Sequence, residues 1–386
     1  MRKQIINARI VLPDGILEGG VLRISDGVIE YVGEEILPDI ETVSADGGYL
    51  MAGFIDIHCH GGGGYDFMDA TPDQMRRIAQ FHLSHGTTTL IPTTMTDTWS
   101  AIRDSLDRYA ALGEDRLTMD GVHLEGPWLS PAQCGAQDTS KMDAPTVEKL
   151  RAIIAEYPFI KRVSVAPELE GGMEVGRAGR ELGLVMSLGH SDADFDKTLE
   201  SVENGYTLMT HLYSGMSVVH RVNAYRVAGA VEAALYDDRI FVEIIADGKH
   251  LPEGLLRLIL KCKGADRVAL ITDAMRGAGF PDGISTMLGR MNDGVPCIIE
   301  DGVAKLPDRL SFAGSVATTD RLLRTMHNIA GADIVSCSKM LSATPAKIMG
   351  YTDRGSIEVG KRADLVILDD KLNINKIYLK GEENAS

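Results

Sequence analysis

Eight short apolar runs occupy the middle of this 386-residue chain, most of them separated by a segment of helical periodicity. They are FIDIHCH (54–60), TTTLIPTT (87–94), MDGVHLEG (119–126), RVSVAPE (162–168), LVMSLGH (184–190), YTLMTHL (206–212), IFVEIIADG (240–248) and RVALITDA (267–274). TPDQMRRIAQFHLSHG, APTVEKLRAIIAEY and LPEGLLRLILKCKG are three of the helical stretches between them. Short apolar runs of this kind read as strands buried on both faces, and strands alternating with helices form parallel sheets. Eight is the number that closes an α/β fold into a (β/α)8 barrel of the TIM type.

The two ends of the chain read differently. QIINARIVL, GVLRISDGVIEYVG and YLMAGF near the start, and GSIEVGKRADLVILDDKLNINKIYLKG near the end, have strand-like text punctuated by Asp and Gly turns. Two β segments flanking one barrel pair most simply with each other, here into a small β-sandwich domain. The expected organisation is residues 1–50 and 351–386 as its two parts, with residues 51–350 as the barrel.

Charge and composition narrow the function. The formal net charge is −16, from 39 basic and 55 acidic residues. Such a surface repels phosphate backbones and argues against nucleic acid as a partner. A small anionic substrate stays open, because a local cluster of Arg and His overrides the average field. No run approaches the roughly 18 apolar residues of a membrane span. The opening MRKQIINARIVLPDG has neither the apolar stretch nor the cleavage site of a signal peptide. Five scattered cysteines, at 59, 134, 262, 297 and 337, fit free thiols in a reducing cytoplasm.

The polar residues at the carboxyl ends of the expected strands carry the chemistry, since catalytic groups of such barrels sit on that face. The first run ends in His58-Cys59-His60. The third carries Glu125, the fifth ends at His190 and the sixth carries His211. Asp247 and His250 follow the seventh, and Asp273 ends the eighth. On a strand, residues i and i+2 share a face. His58 and His60 therefore point together, and Cys59 points away and is read as structural. Two imidazoles on one face suit a divalent transition metal. Glu125, His190 and His211 add three donors and leave positions open for water and substrate, as in catalytic rather than structural sites. Any one of these residues alone is weak evidence; their conjunction at five strand ends is the signal. His123 shares the face of Glu125, either as a donor that orients the carboxylate or as a satisfied core residue. His82, His85, His220 and His327 are not assigned as ligands. The GGGG run at 61–64 lacks a dinucleotide-binding pattern and reads as a flexible loop beside the site.

Taken in order, AGFIDIHCH, HLEGPW (123–128), GHS, THL, ADGKH, TDAM, AGS and GSIEVGKRADLVILD cover nearly the whole chain. This set resembles the amidohydrolase superfamily, and within it the deacetylases of N-acetylated amino-sugar phosphates. The resemblance implies hydrolysis of the N-acetyl amide of N-acetylglucosamine 6-phosphate in amino-sugar catabolism. The alternative is another N-acyl amino-sugar phosphate, such as N-acetylgalactosamine 6-phosphate, or another small amide. It also implies a divalent metal such as Zn or Fe, held by Glu125, His190 and His211, and a catalytic Asp273. Relatives that keep both first-strand histidines can hold a second ion with the Glu bridging. His58 and His60 are kept here, so one or two ions per subunit are expected.

By the same resemblance, substrate contacts fall on Ala136 or Gln137, on Ser214 and Gly215, on His250, and on the turn Phe312-Ala313-Gly314. Family members grip the sugar phosphate with that histidine and with an arginine that can come from the neighbouring subunit of a homodimer. Arg221 and Arg226 are the candidates here. Three stretches depart from the family pattern. Ser214-Gly215-Met216 stands for Asn-Ala-Met, Gly135-Ala136-Gln137 for Gly-Ala-His, and the segment 220–226 for a stretch with Arg-Glu-Pro-Gly. The metal and acid–base residues are intact, so the departures bear on the sugar and phosphate contacts.

Overall fold

In the computed structural model of the chain, which describes residues 2–384, each of the eight apolar runs carries a strand, the fourth of which begins two residues before its run. These are Phe54–Cys59, Thr87–Pro92, Val122–Glu125, Ile160–Val165, Val185–Leu188, Tyr206–Met209, Phe241–Ile244 and Val268–Leu270. They are numbered first to eighth below. The last six pair in parallel and in chain order in one curled sheet, and the first two pair in parallel in another. Hydrogen bonds cross both gaps between these sheets. Thr94 N donates to His123 O at 3.0 Å, Asp273 N to His58 O at 2.9 Å, and His60 N to Ala274 O at 2.8 Å. Side chains from strands far apart in the chain meet in consequence: Ile55, Ile57, Ile91, Leu208, Ala269 and Ile271 share one buried cluster.

The intervening helices follow from their apolar spacing and caps. Pro72–Ser84 starts on a capping box, with Thr71 and Gln74 each satisfying the other's backbone N–H. It buries Met75, Ile78, Ala79, His82 and Leu83, a helical i, i+3, i+4 stripe. His82 is therefore a core residue, and its Nε2 donates to Gly61 O at 2.8 Å. Thr146 caps Val147–Glu156 by accepting from Lys149 N, without a reciprocal bond.

The GGGG run is a packed hairpin rather than a flexible loop. Gly61–Gly62 pairs antiparallel with Tyr65–Asp66, and both glycines are buried. A Cβ on Gly61 would sit 2.3 Å from the Tyr65 carbonyl oxygen, so the close strand approach demands glycine there. Two further β features escape the sequence reading. One is an exposed hairpin of His220–Val222 and Tyr225–Val227. The other is a three-stranded sheet of Ser285–Leu288, Val295–Glu300 and Val303–Lys305, which leads into the Phe312-Ala313-Gly314 turn.

The chain ends build one eight-stranded sheet. Arg2–Leu12, Gly15–Ser25, Val28–Gly33, Glu41–Ser44 and Tyr49–Ala52 come from the start; Leu365–Leu368, Ile374–Leu379 and Glu382–Asn384 come from the end. The seam is the antiparallel pair of Tyr49–Ala52 with Leu365–Leu368, which sets Leu50 opposite Ile367 and Met51 opposite Val366. Alternation then divides the residues between two cores. Leu50, Ala52, Leu365 and Ile367 join Ile5, Ile10, Leu22, Ile24 and Tyr378 in the sheet's own cluster. Met51, Val366 and Leu368 face the opposite way, into the main core. This seam fastens the two termini to each other and to the parallel strands. Leu365→Ala should therefore destabilise the protein by about 2–5 kcal/mol, the usual range for a buried leucine, read as a lowered midpoint in urea.

Candidate metal centre and active site

The first, third, fifth, sixth and eighth strands deliver His58, His60, Glu125, His190, His211 and Asp273 to one place. Each is less than a tenth exposed. The Nε2 atoms of His58 and His60 are 3.2 Å apart. One carboxylate oxygen of Glu125 lies 3.0 Å from His211 Nε2 and 3.6 Å from His190 Nε2. Its other oxygen lies 3.2 Å from His60 Nε2 and 3.6 Å from His58 Nε2. Asp273 Oδ1 stands 3.2 Å from His60 Nε2 and 3.6 Å from His58 Nε2.

What each Nδ1 does decides the chemistry of this cluster. His190 Nδ1 donates to Gln133 O at 2.8 Å, His211 Nδ1 to Ser214 O at 3.2 Å, and His60 Nδ1 to Thr93 O at 3.3 Å. His58 Nδ1 donates to Glu243 Oε2 at 3.3 Å. An imidazole that donates from Nδ1 presents a lone pair at Nε2 while neutral. Four such lone pairs then face two carboxylates, and acceptor opposes acceptor throughout. Only cations reconcile them. With protons alone, His58 is pushed up to about 9: burial works against its charge, but the carboxylates of Glu125, Glu243 and Asp273 outweigh it. A divalent ion does the same task with neutral imidazoles, and nitrogen plus carboxylate oxygen is its ordinary donor set. His58, Glu125 and His211 form one group with ligand atoms mutually in reach of an ion; His58, His60 and Asp273 form another.

Backbone conformation reinforces the point. His190, His211 and Asp273 have φ of 46°, 30° and 48°. Non-glycine residues in this region are uncommon and cluster at functional sites. Gly215 has φ of 56°, and a Cβ there would come within 2.6 Å of His190 Nδ1. A side chain there would require His190 and the Gln133 carbonyl to shift.

A cleft of about 280 Å³ opens over the cluster. Ala136, Gln137, Ser214, Gly215, His250, Phe312 and Gly314 line it, together with Leu288, Leu310 and Ser311. Ala313 does not: it is fully buried, and its N–H donates to Ala304 O at 3.0 Å. Gln137 is turned to the cluster, with Oε1 accepting from Thr96 N at 3.0 Å and Nε2 donating to Glu125 at 3.2 Å. His250 donates from Nδ1 to Asp247 at 2.9 Å and packs at a tilt against Phe312 with ring centres 4.6 Å apart, which leaves its Nε2 for a ligand. Burial opposes the charge of Asp247, but this histidine holds the carboxyl below its usual range. Arg221 and Arg226 do not line the cleft; both are exposed on the 220–227 hairpin. His123 does not touch the Glu125 carboxylate. Its Nε2 meets Ser164 Oγ at 2.7 Å, and its ring packs edge-on against His58. Cys59 Sγ turns away to Gly61 O and His82.

A family model described as "Amidohydrolase family" matches residues 49–384. An N-acetylgalactosamine-6-phosphate deacetylase from Escherichia coli is 33% identical over 382 residues, covering 97% of each chain. An N-acetylglucosamine-6-phosphate deacetylase from Lysinibacillus sphaericus is 32% identical over 385 residues, covering 98% of this chain and 96% of its own. Among solved structures, the N-acetylglucosamine-6-phosphate deacetylase of Pasteurella multocida superposes with a TM-score of 0.92 at 27% identity, over the whole of both chains. A variant of the Mycobacterium smegmatis enzyme, in complex with N-acetyl-D-glucosamine-6-phosphate, superposes with a TM-score of 0.91 at 28% identity, over 99% of each.

The opposed acceptors give a direct test. His190→Ala or His211→Ala should weaken Zn2+ binding by more than the roughly 10–100-fold lost with an outer partner. Chelation should lower the Tm of the wild type and leave that of His211→Ala nearly unchanged, because only a bound ion stabilises by mass action. Full occupancy of either variant by elemental analysis would remove that histidine from the donor set.

Proposed function

The chain belongs to the amidohydrolase family, and on that premise we propose that it hydrolyses the N-acetyl amide of N-acetylglucosamine 6-phosphate, releasing glucosamine 6-phosphate and acetate in amino-sugar catabolism. The observation that carries this reading is the meeting of four imidazoles and two carboxylates beneath a small cleft. Its cofactor is a divalent ion such as Zn or Fe, held by Glu125, His190 and His211. A second ion on the His58, His60 and Asp273 side is favoured by the way the two Glu125 oxygens divide between the histidine pairs.

A bound divalent ion lowers the pKa of water toward about 7 and polarises a carbonyl. The chain's own residues do the rest. With the cluster's histidines protonated, burial opposes the charge of Asp273, but hydrogen bonding to His60 and the charges of His58, His60 and His211 hold it below its usual range as a carboxylate; a divalent ion in place of those protons would supply the compensating charge. Asp273 is therefore able to take the proton of the attacking water. The protonated Asp273 then gives that proton to the amide nitrogen as the C–N bond breaks, so one group serves as base and then as acid. Gln137 fixes the Glu125 carboxylate from the cleft side. His250, oriented by Asp247, meets the sugar phosphate or the reacting carbonyl through Nε2. Ala136, Ser214, Gly215, Phe312 and Gly314 shape the sugar subsite, with Ala313 behind it as backbone support.

We read the two parallel sheets and the bonds across their gaps as one (β/α)8 barrel, residues 51–350. Residues 2–50 and 351–384 then form the β domain, its sheet folded over its own core as a sandwich; residues 1, 385 and 386 of the expected bounds lie outside the described residues. The cleft lining contains no Arg or Lys. A phosphate there needs a cation, and Arg221 or Arg226 on the exposed hairpin of a second copy would supply it in a homodimer. The free thiols fit the cytoplasm, and no helix among the described residues is long and apolar enough to cross a membrane.

A second reading is the C4 epimer, N-acetylgalactosamine 6-phosphate. It is favoured by the relative named for that sugar and by the altered residues at 137, 214 and 215. Acetate release from the two sugar phosphates and their unphosphorylated forms separates the readings by relative kcat/KM; activity on neither phosphate would overturn both. Asp273→Asn should retain the ion held by Glu125, His190 and His211 and lose about 10²–10⁴-fold in kcat, the range for general acid–base catalysis. Normal turnover by that variant would refute the assigned role.

A further inference from the structure

Below the metal centre lies a charged pair that no step above uses. Arg162 on the fourth strand and Glu243 on the seventh are both fully buried. The guanidinium spans the carboxylate, with one contact at 2.9 Å from Nη2 to Oε2 and a second between Nη1 and Oε1. The remaining donors of Arg162 are all used. Nη1 reaches Ile57 O at 3.0 Å, Nη2 reaches Thr210 Oγ1 at 3.1 Å, and Nε reaches Ser187 Oγ at 2.8 Å. Glu243 Oε2 accepts from His58 Nδ1 and from His211 N, each at 3.3 Å. The pair thus grips the residues just before His58 and His211 through Arg162, and those two residues themselves through Glu243.

A buried ion pair adds little stability over packed apolar residues, because desolvation offsets the attraction. Its hydrogen bonds to His58 and His211 point to another consequence. A carboxylate that accepts from one imidazole nitrogen fixes which nitrogen faces a metal, and increases that ligand's basicity. We propose that Glu243, held by Arg162, is a positioning residue for the metal centre: it locks His58 with Nε2 toward the ion and aligns the strand ends that carry His58 and His211. The proposal rests on the metal-dependent reading above.

The test compares Zn2+ affinity, by competition with a chromogenic chelator, among folded proteins whose apo-form Tm is measured alongside. R162M/E243L removes both charges together, so neither is left unpaired. E243D keeps a charge opposite Arg162 but withdraws the oxygen from His58. Both should bind Zn2+ about 10–100-fold more weakly, without a matching fall in apo-form Tm. R162M/E243Q returns an uncharged acceptor to His58 Nδ1 and should recover most of the affinity, which a purely structural role does not predict. Wild-type affinity in R162M/E243L and E243D overturns the proposal alone. Wild-type protein that takes up neither Zn2+ nor Fe2+ overturns the metal reading, and this proposal with it.

Discussion

Everything in this protein is arranged around an electrostatic conflict: a buried Glu125 carboxylate with imidazole lone pairs directed at both of its oxygens. Left in an apolar interior, such a carboxylate is very costly. Left without the backbone carbonyls and Glu243 that accept from each Nδ1, the histidines would rotate or change tautomer and the conflict would relax. It persists because every imidazole is tied from behind. The left-handed backbone at His190, His211 and Asp273 adds about 1–3 kcal/mol of strain each. These costs are borne together only where the surrounding fold over-determines the geometry.

The fold does so in three layers. Parallel strand pairing fixes the height of each strand end, because a register shift of one residue would turn each side chain to the opposite face. The Arg162–Glu243 pair fixes the interior beneath. Above, the loops are tied to one another rather than left to pack loosely. Asp97, after the second strand, pairs with Lys141 and with Arg290, each at 3.1 Å, and the neighbouring Thr96 N–H holds the Gln137 amide. Gln137 reaches Glu125 because this rim holds it there. The terminal sheet contributes from further away, by clamping the first strand through Met51 and Val366 in the main core.

The sequence made some of this readable and hid the rest for definable reasons. Strand positions were legible because a strand buried on both faces has no polar alternation to confuse. His58 and His60 were legible as a pair through their i, i+2 spacing, and the pairing of the two terminal β segments through the simple need of edge strands for partners. Arg162 and Glu243 were not. Each is a single charge inside an apolar run, and nothing local says that the two runs face each other across an interior. Opposite charges in the middle of two buried strands were the available signal. The resemblance offers Ala136 or Gln137 as a sugar contact, and the hydrogen bond of Gln137 to Glu125 depends on a loop path that spacing does not encode. His123 shares a strand face with Glu125, but its ring lies against His58 and Ser164, so a common face did not become a common contact. The GGGG run misled because composition reports freedom, whereas buried glycine reports close approach.

The division between strands and loops also explains why relatives named for two epimeric sugar phosphates resemble this chain about equally. The groups that suit amide hydrolysis stand on strand ends, where a change of one residue would disturb pairing, burial and tautomer together. The groups that would distinguish one hydroxyl orientation from another stand on the loop at 135–137, on Ser214 and Gly215, and on the exposed hairpin. Those segments can change while the strand ends stay in place. Gly215 marks the boundary between the two regimes: it lies in a loop, yet its contact with His190 allows no side chain.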